Sequence, residues 1–227
     1  MNKKKILTIA LALVLVVAMT VAGTLAVLKE TAPDTLTNTF VAAGAGDIIV
    51  QPLSSNFVLK EHKVTYNEAT AAYSVDSNTE VTSNDYSGVA PGMEIPKDPI
   101  VKVNVKSGAS AYIFVKIVDS ASLITWEKAD GWTVISQAAE GDVTTTVLAY
   151  NSIVTGGTAE QDAAGTFDLE QAVLKNNKVL IASDAVIPDP ADGETSVSLG
   201  NIVITAYACQ AQGFADAEEA WTTCFGS

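Results

Sequence analysis

The sequence contains no arginine, and its 227 residues include one histidine, two cysteines and few aromatic side chains. Arginine is the side chain best shaped to bind phosphate oxygens in pairs, so its absence argues against a nucleic-acid partner. The charge argues the same way, because 13 lysines face 26 acidic residues. Three of those lysines are residues 3–5; without them 10 lysines remain and the net charge is −16, which repels a phosphate backbone. We therefore expect no nucleic-acid binding.

The common catalytic motifs are also missing from the sequence. A single histidine, His62, cannot supply an HExxH zinc site, and the chain has no CxxC pair, GxSxG elbow, P-loop or GxGxxG loop. Neighbouring acids such as Asp168 with Glu170 occur by chance in a chain this acidic and do not indicate a glycosidase site. We predict that the protein is not an enzyme, needs no cofactor, and carries His62 as an exposed strand residue rather than a catalytic base.

The N-terminus has the parts of a signal peptide. Residues 1–5 include three lysines, residues 6–28 carry no charge, and small residues interrupt the later half of that apolar run. We predict a signal peptide over residues 1–26, with Thr24, Ala26 and Val27 at the cleavage site, and a secreted protein of the extracellular matrix or cell surface. The alternative is an uncleaved membrane anchor, because 23 uncharged residues are long enough to cross a bilayer.

The remaining residues, 27–227, are predicted to form one all-β domain around a central pair of strands. Val101, Val103 and Val105 alternate with polar residues, which is typical of a half-buried strand. Residues 107–110 break the run with turn-forming side chains, and residues 111–118 form a second, more apolar strand. We read the two runs as a central hairpin in the core of a sandwich.

Further elements follow from the same patterns. We predict strands over residues 47–53, 57–65, 144–150, 178–186 and 196–209, a loop over 66–96, and a short helical connection over 167–173. The pair Asp130 and Gly131 predicts a hairpin that brings Trp126 and Trp132 together across its two strands.

The C-terminal residues change to helical spacing. Phe214, Ala217, Trp221 and Cys224 recur at that spacing, and Asp216 is a good N-cap. We predict a helix over 214–225 that lays Trp221 on an open end of the sandwich.

Cys209 and Cys224 are the only cysteines, and in an exported protein we expect them to form a disulfide, since two thiols alone do not make a metal site. An acidic turn with Asp189, Asp192 and Glu194 is a weak calcium candidate; an ordinary solvated turn is the alternative, and we predict no other metal site.

Several short segments resemble the TasA/camelysin family of Gram-positive exported proteins. They are GTLAVL at residues 23–28, NTF at 38–40 with DIIV at 47–50, PG at 91–92 with KDPIV at 97–101, and ITAYA at 204–208 with QGF at 212–214. The resemblance implies cleavage by a SipW-type signal peptidase, a jelly-roll-like antiparallel β-sandwich, and a role in biofilm-matrix or cell-surface fibres. Camelysin-type relatives are described as proteases, so the resemblance also carries a peptidase hypothesis.

We interpret the chain as a structural fibre subunit that assembles by β-strand addition. Residues 27–40, freed by cleavage, are the candidate donated strand, with Leu36, Asn38 and Phe40 on one face. The expected partners are further copies of the chain and other matrix proteins. The alternatives are a monomeric surface adhesin that binds a ligand through the loop at 66–96 and, less favoured, a camelysin-like peptidase.

Overall fold

The computed structural model describes residues 26–32, 40–42, 53–84, 86–121, 123–187 and 199–226. Its strands are β1 (Ala26–Ala32), β2 (Phe40–Ala42), β3 (Ser54–Asn67), β4 (Ala72–Val81), β5 (Glu94–Pro96), β6 (Ile100–Val105), β7 (Ser110–Asp119), β8 (Ile124–Thr125), β9 (Trp132–Glu140), β10 (Val143–Tyr150), β11 (Val154–Thr155), β12 (Leu169–Ala172), β13 (Lys178–Ile181) and β14 (Ile202–Gln210). Its α-helices are α1 (Ala159–Ala164) and α2 (Ala217–Cys224), and Lys175–Asn177 form a 3₁₀ turn.

The strands form antiparallel sheets packed as a sandwich. The first sheet has the order β2-β1-β14-β7-β10-β9, with β11 beside the start of β7. The second has the order β12-β6-β3-β4, and a small third sheet has the order β5-β13-β8. The predicted class, an all-β antiparallel sandwich with a short C-terminal helix, is confirmed. None of the helices in the described part of the chain has the length and apolar character needed to cross a membrane.

The main core lies between the first and second sheets. Val101, Val103 and Val105 of β6 are fully buried. So are Ile113, Val115 and Ile117, which lie along the inner face of β7. Burying each such side chain contributes about 1.5–3 kcal/mol, so the two runs that dominate the sequence pattern also dominate the core.

The predicted central hairpin is wrong, because β6 and β7 belong to different sheets. Their apolar faces meet across the core, and strands that face one another through side chains cannot also share backbone hydrogen bonds. Residues 106–109 form the crossing, where the Ala109 N–H donates to the Lys106 carbonyl. Gly156 packs against this crossing so closely that a Cβ would lie 2.1 Å from the Lys106 oxygen.

The predicted loop over 66–96 is also wrong. Its first half contains the ten-residue strand β4, which pairs with β3 from Asn67↔Ala72 to Glu61↔Val81, and its end contains β5. Most β4 side chains are exposed. A strand that buries neither face shows no alternation of apolar residues, so the sequence pattern does not reveal it.

The predicted pairing of Trp126 with Trp132 does not occur. The strand before the Asp130-Gly131 turn, β8, pairs with β13, whereas Trp132 begins β9, which pairs with β10. The buried Trp132 ring packs against Tyr150, and its Nε1–H donates to the Ala172 carbonyl at 2.8 Å. Trp126 instead donates to the Asp119 carboxylate at 2.8 Å.

The predicted helical connection at 167–173 is a strand, β12, paired with β6. The helix in this region lies earlier, at α1, where Thr158 and Gln161 cap its first turn through each other's backbone N–H groups. The predicted strands at 57–65 and 144–150 are confirmed by β3 and β10. The prediction at 178–186 holds only over β13, residues 178–181, and the described part of 196–209 is a strand only from residue 202, in β14. The predicted strand at 47–53 lies almost wholly outside the described residues.

Helix α2 covers the outer face of the first sheet, not an open end of the sandwich as predicted. Trp221 packs against Phe114 of β7 and Tyr207 of β14, with ring centroids 5.3 Å away in both cases. Asp216 caps the helix by accepting from the Glu219 N–H at 2.9 Å, and Glu219 accepts from the Ala215 N–H. The result is a second, smaller apolar cluster on the opposite side of β7 from the main core.

Candidate strand-docking edge

Strand β1 lies on one half of strand β14. The two are antiparallel, with register from Lys29↔Cys209 to Ala32↔Ala206, and β2 pairs with the other side of β1 from Ala26↔Ala42 to Leu28↔Phe40. The two ends of the segment predicted as a donated strand therefore pair within their own chain.

The other half of β14, residues 202–205, has no strand on that side among the described residues. The Ser120 N–H donates to the Asn201 carbonyl, and the Ala211 N–H donates to the Ser110 carbonyl. Because hydrogen-bonded pairs alternate along an antiparallel ladder, the odd-numbered residues of β14 bond to β7. The backbone N–H and C=O groups of Ile202 and Ile204 therefore point away from β7, toward the open edge.

A groove of about 510 Å³ runs beside this open edge. One wall is residues 201–205; the other is formed by Leu59, Lys60 and Glu61 of β3 together with residues 82–84, Lys97 and Pro99. Leu59, Ile202 and Ile204 touch the main core but stay partly exposed, and Val203 is 55% exposed. Within the described part of the chain, the core is thus partly exposed along the groove, which we call the β14 groove.

A buried ion pair fixes the far wall of the β14 groove. Glu61 and Lys97 approach to 3.0 Å, with 7% and 13% of their side chains exposed. The Lys97 ammonium also lies 5.7 Å from the centre of the Tyr86 ring. Burial raises the pKa of the Tyr86 phenol, and the nearby carboxylates of Glu61 and Asp98 raise it further.

The end of the groove is held by Asn84. Its amide oxygen accepts from the Val64 N–H at 2.7 Å and its amide nitrogen donates to the His62 carbonyl at 2.8 Å. Strand β6 pairs with β3 only as far as Lys60, so these β3 groups lie beyond the end of their neighbour. Asn84 supplies the partners that a strand would otherwise provide.

His62 is partly buried, and the prediction of an exposed strand residue is wrong. Asp98 binds it twice: one carboxylate oxygen accepts from the His62 N–H at 3.0 Å and the other lies 2.5 Å from the ring Nδ1. The imidazole is 23% exposed and the Asp98 side chain 11%. No local pattern in the sequence indicates this pair, because 36 residues separate its members.

The other predicted site residues fall as follows. Ala26 and Val27 lie in β1 and Phe40 in β2, while Thr24, Leu36 and Asn38 and the calcium candidates Asp189, Asp192 and Glu194 lie outside the described residues. Cys209 and Cys224 form a disulfide, and both are buried. Within the described residues no group of three His, Cys, Asp or Glu side chains could hold a metal ion.

Of the acids considered at the sequence level, Asp168 accepts from the Val105 N–H at 2.8 Å and Glu170 pairs with Lys102 at 3.1 Å. Both carboxylates therefore contact β6 and stabilise the second sheet.

Comparison of the chain with protein-family models, with curated proteins and with solved structures found no match. The resemblance to the TasA/camelysin family rests on the short segments given above. The β14 edge and its groove have no signal in the sequence. The run 196–209 predicts a strand, but nothing in its pattern shows that residues 202–205 have no neighbouring strand on one side among the described residues.

Proposed function

We propose that this protein is a secreted structural subunit of extracellular fibres, of the biofilm matrix or the cell surface, that assembles by β-strand addition. One observation carries the proposal: β14 bears the chain's own β1 on one half, and on the other half no strand among the described residues covers its edge beside the partly exposed core. Proteins usually protect such edges, and an edge left open accepts another strand.

Exchange of β1 between copies is the simplest form of this assembly. The pairs that β1 makes with its own β14 would be the same when it lies on the β14 of a neighbour, so the two arrangements differ little in contact energy. Such a head-to-tail contact does not close on itself and propagates into a filament. Removal of a leader by a SipW-type peptidase after Ala26 would leave residues 27–32, all of β1 except its first residue, at the new N-terminus and free to exchange.

The register of β1 also supports a role for the groove. A donated strand that kept this register beyond Ala32↔Ala206 would have Asp34 opposite Ile204 and Leu36 opposite Ile202. Residues directly opposite one another share a face, so Asp34 and Leu36 would both point into the β14 groove. Pro33 would stand opposite Thr205, where its missing N–H faces away from β14 and costs the ladder nothing.

Mixing two single-cysteine variants tests the exchange. Ala32→Cys and Ala206→Cys mark opposite residues of the β1–β14 ladder. After cleavage, mixing and mild oxidation, we expect a disulfide-linked heterodimer on a non-reducing gel, together with filaments by electron microscopy. Each variant mixed with the unmodified chain is the control and should give no such band.

The double variant A32C/A206C adds the converse test. Oxidised before assembly, it locks β1 onto its own chain, and we expect it to form no filaments. If the mixture yields no heterodimer and the unmodified, cleaved chain stays monomeric under every condition, the fibre proposal fails. The monomeric adhesin then becomes the better account.

We further propose that the chain is not a peptidase. The support is that the sequence has a single histidine, His62, and neither an HExxH nor a GxSxG motif. Casein turnover by the purified chain that is lost in His62→Asn would overturn this.

A further inference from the structure

Strand β9 forms the outermost edge of the first sheet, at the opposite end from β2. Its first eight residues, 132–139, include no charged residue and no proline, and most of its side chains are exposed. No other strand in the described part of the chain pairs with its outer side.

The edges of the second sheet are protected in ways that β9 is not. Strand β4 carries Asp76 and Glu80 and bulges outward by three residues, 77–79, against His62 and Lys63 of β3. Strand β12 has only four residues, and one of them is Glu170. Charges, bulges and short length are the means by which edge strands avoid pairing. Strand β9 has one irregularity, near Ile135, and is regular from Ser136 to Glu140.

The pairing pattern shows which groups of β9 face outward. Even-numbered residues of β7 bond to β14, as the Ser120–Asn201 bond shows, so odd-numbered ones bond to β10. Odd-numbered residues of β7 lie opposite even-numbered residues of β10, so the even-numbered residues of β10 bond to β7. The odd-numbered residues of β10 therefore bond to β9, where they lie opposite Ser136, Ala138 and Glu140. The N–H and C=O groups of Gln137 and Ala139 therefore point away from the sheet.

We propose that this edge pairs with β9 of a second copy, antiparallel and centred on Ala138. That register puts Gln137 of each copy opposite Ala139 of the other. The outward N–H groups of these two residues, four in the two copies together, then donate to the four outward carbonyls of the same residues. It puts Glu140 opposite Ser136, so no acid faces an acid. Like-charged chains repel elsewhere on their surfaces, and β9 offers a neutral, self-complementary stretch on which two copies can meet.

The contact is small, and two free chains should associate only weakly through it. In a filament, however, β9 recurs on every subunit, and many weak contacts act together. The β9 edge would then join filaments side by side. The contact does not depend on the exchange of β1, so the two proposals can fail separately.

The first test compares matched charge changes by sedimentation equilibrium from about 10 to 500 μM, in the oxidised A32C/A206C chain, whose locked β1 cannot exchange. Ala139→Glu places an acid in the proposed contact, and Ala72→Glu makes the same change on the edge of β4, where we expect no contact. We expect the dissociation constant of the dimer to rise at least tenfold for Ala139→Glu and to stay unchanged for Ala72→Glu. Ala139→Pro, which removes only an outward N–H, should weaken the dimer with the melting temperature almost unchanged.

Cysteine crosslinking fixes the register. Ala138→Cys alone should give a disulfide-linked dimer on mild oxidation, because residue 138 faces its own copy. Ser136→Cys alone should give none, but should crosslink when mixed with Glu140→Cys. A monomeric chain at 500 μM, an equal effect of the two glutamate variants, or no crosslink at residue 138 would each overturn the proposal.

Discussion

The side chain of Asn84 replaces a strand neighbour for part of β3. Its two hydrogen bonds reach the backbone at His62 and Val64, where β6 has already ended. An amide can do this because it carries a donor and an acceptor side by side, as a peptide group does. One residue thus shapes the end of the β14 groove.

Replacing Asn84 with alanine should lower the free energy of unfolding by about 1–3 kcal/mol, because it leaves a partly buried donor and acceptor without partners. Denaturant titration measures the loss, and faster hydrogen exchange at the Val64 amide would locate it. The adjacent Ser83→Ala, at an exposed side chain, is the control and should change stability by less than about 0.5 kcal/mol. An equal loss in both variants would contradict the role given to Asn84.

The sequence pattern does not predict the burial or the polar partners of residues whose contacts lie far away along the chain. His62 reads as an exposed residue between Glu61 and Lys63, and only the fold brings Asp98 to it. Glu61 and Lys97 are likewise 36 residues apart, and only the fold places them together in a buried pair. Local pattern reports which face a strand buries, but not which polar groups will meet on it.

At the scale of elements, apolar strands were predictable and exposed ones were not. The alternation in β6 and the apolar run of β7 identify both strands, but β4 shows no alternation because its side chains are mostly in water. The error at β12 has a different cause. Leu169 and Val173 lie four residues apart, a spacing that puts two side chains on one face of a helix and of a strand alike.

The Cys209–Cys224 disulfide joins α2 to β14, the strand that β1 covers. Removing it as C209S/C224S should destabilise the protein by about 3 kcal/mol, the chain-entropy value for a loop of this length. We expect a lower midpoint in thermal unfolding and early release of α2, seen as loss of the near-ultraviolet signal of Trp221. Because both cysteines are buried, the folded parent should resist mild reductant. A double variant as stable as the parent would show that aromatic packing alone holds α2.

The whole molecule is strongly acidic, with a net charge of −13 for the full sequence and −16 without residues 3–5. Any assembly must bring such chains together against their mutual repulsion. Raising the salt concentration from about 0.01 M to 0.15 M shortens the screening length from about 30 Å to about 8 Å. We therefore expect filament formation, followed by light scattering, to become faster with sodium chloride over this range. A rate that falls as salt is added would show that attraction between charges, not their repulsion, governs assembly.

The β1–β14 ladder has a consequence for the timing of folding. The first strand of the described sheets pairs with the last, so the ladder cannot form until the chain between them has been synthesised and largely folded. Synthesis starts at the N-terminus, so β1 is present early and can pair with β2, but it cannot pair with β14 until the C-terminal part of the chain follows. A newly formed β14 can then pair with the β1 of its own chain or with the β1 of a neighbouring chain. The local protein concentration sets how often the second pairing occurs.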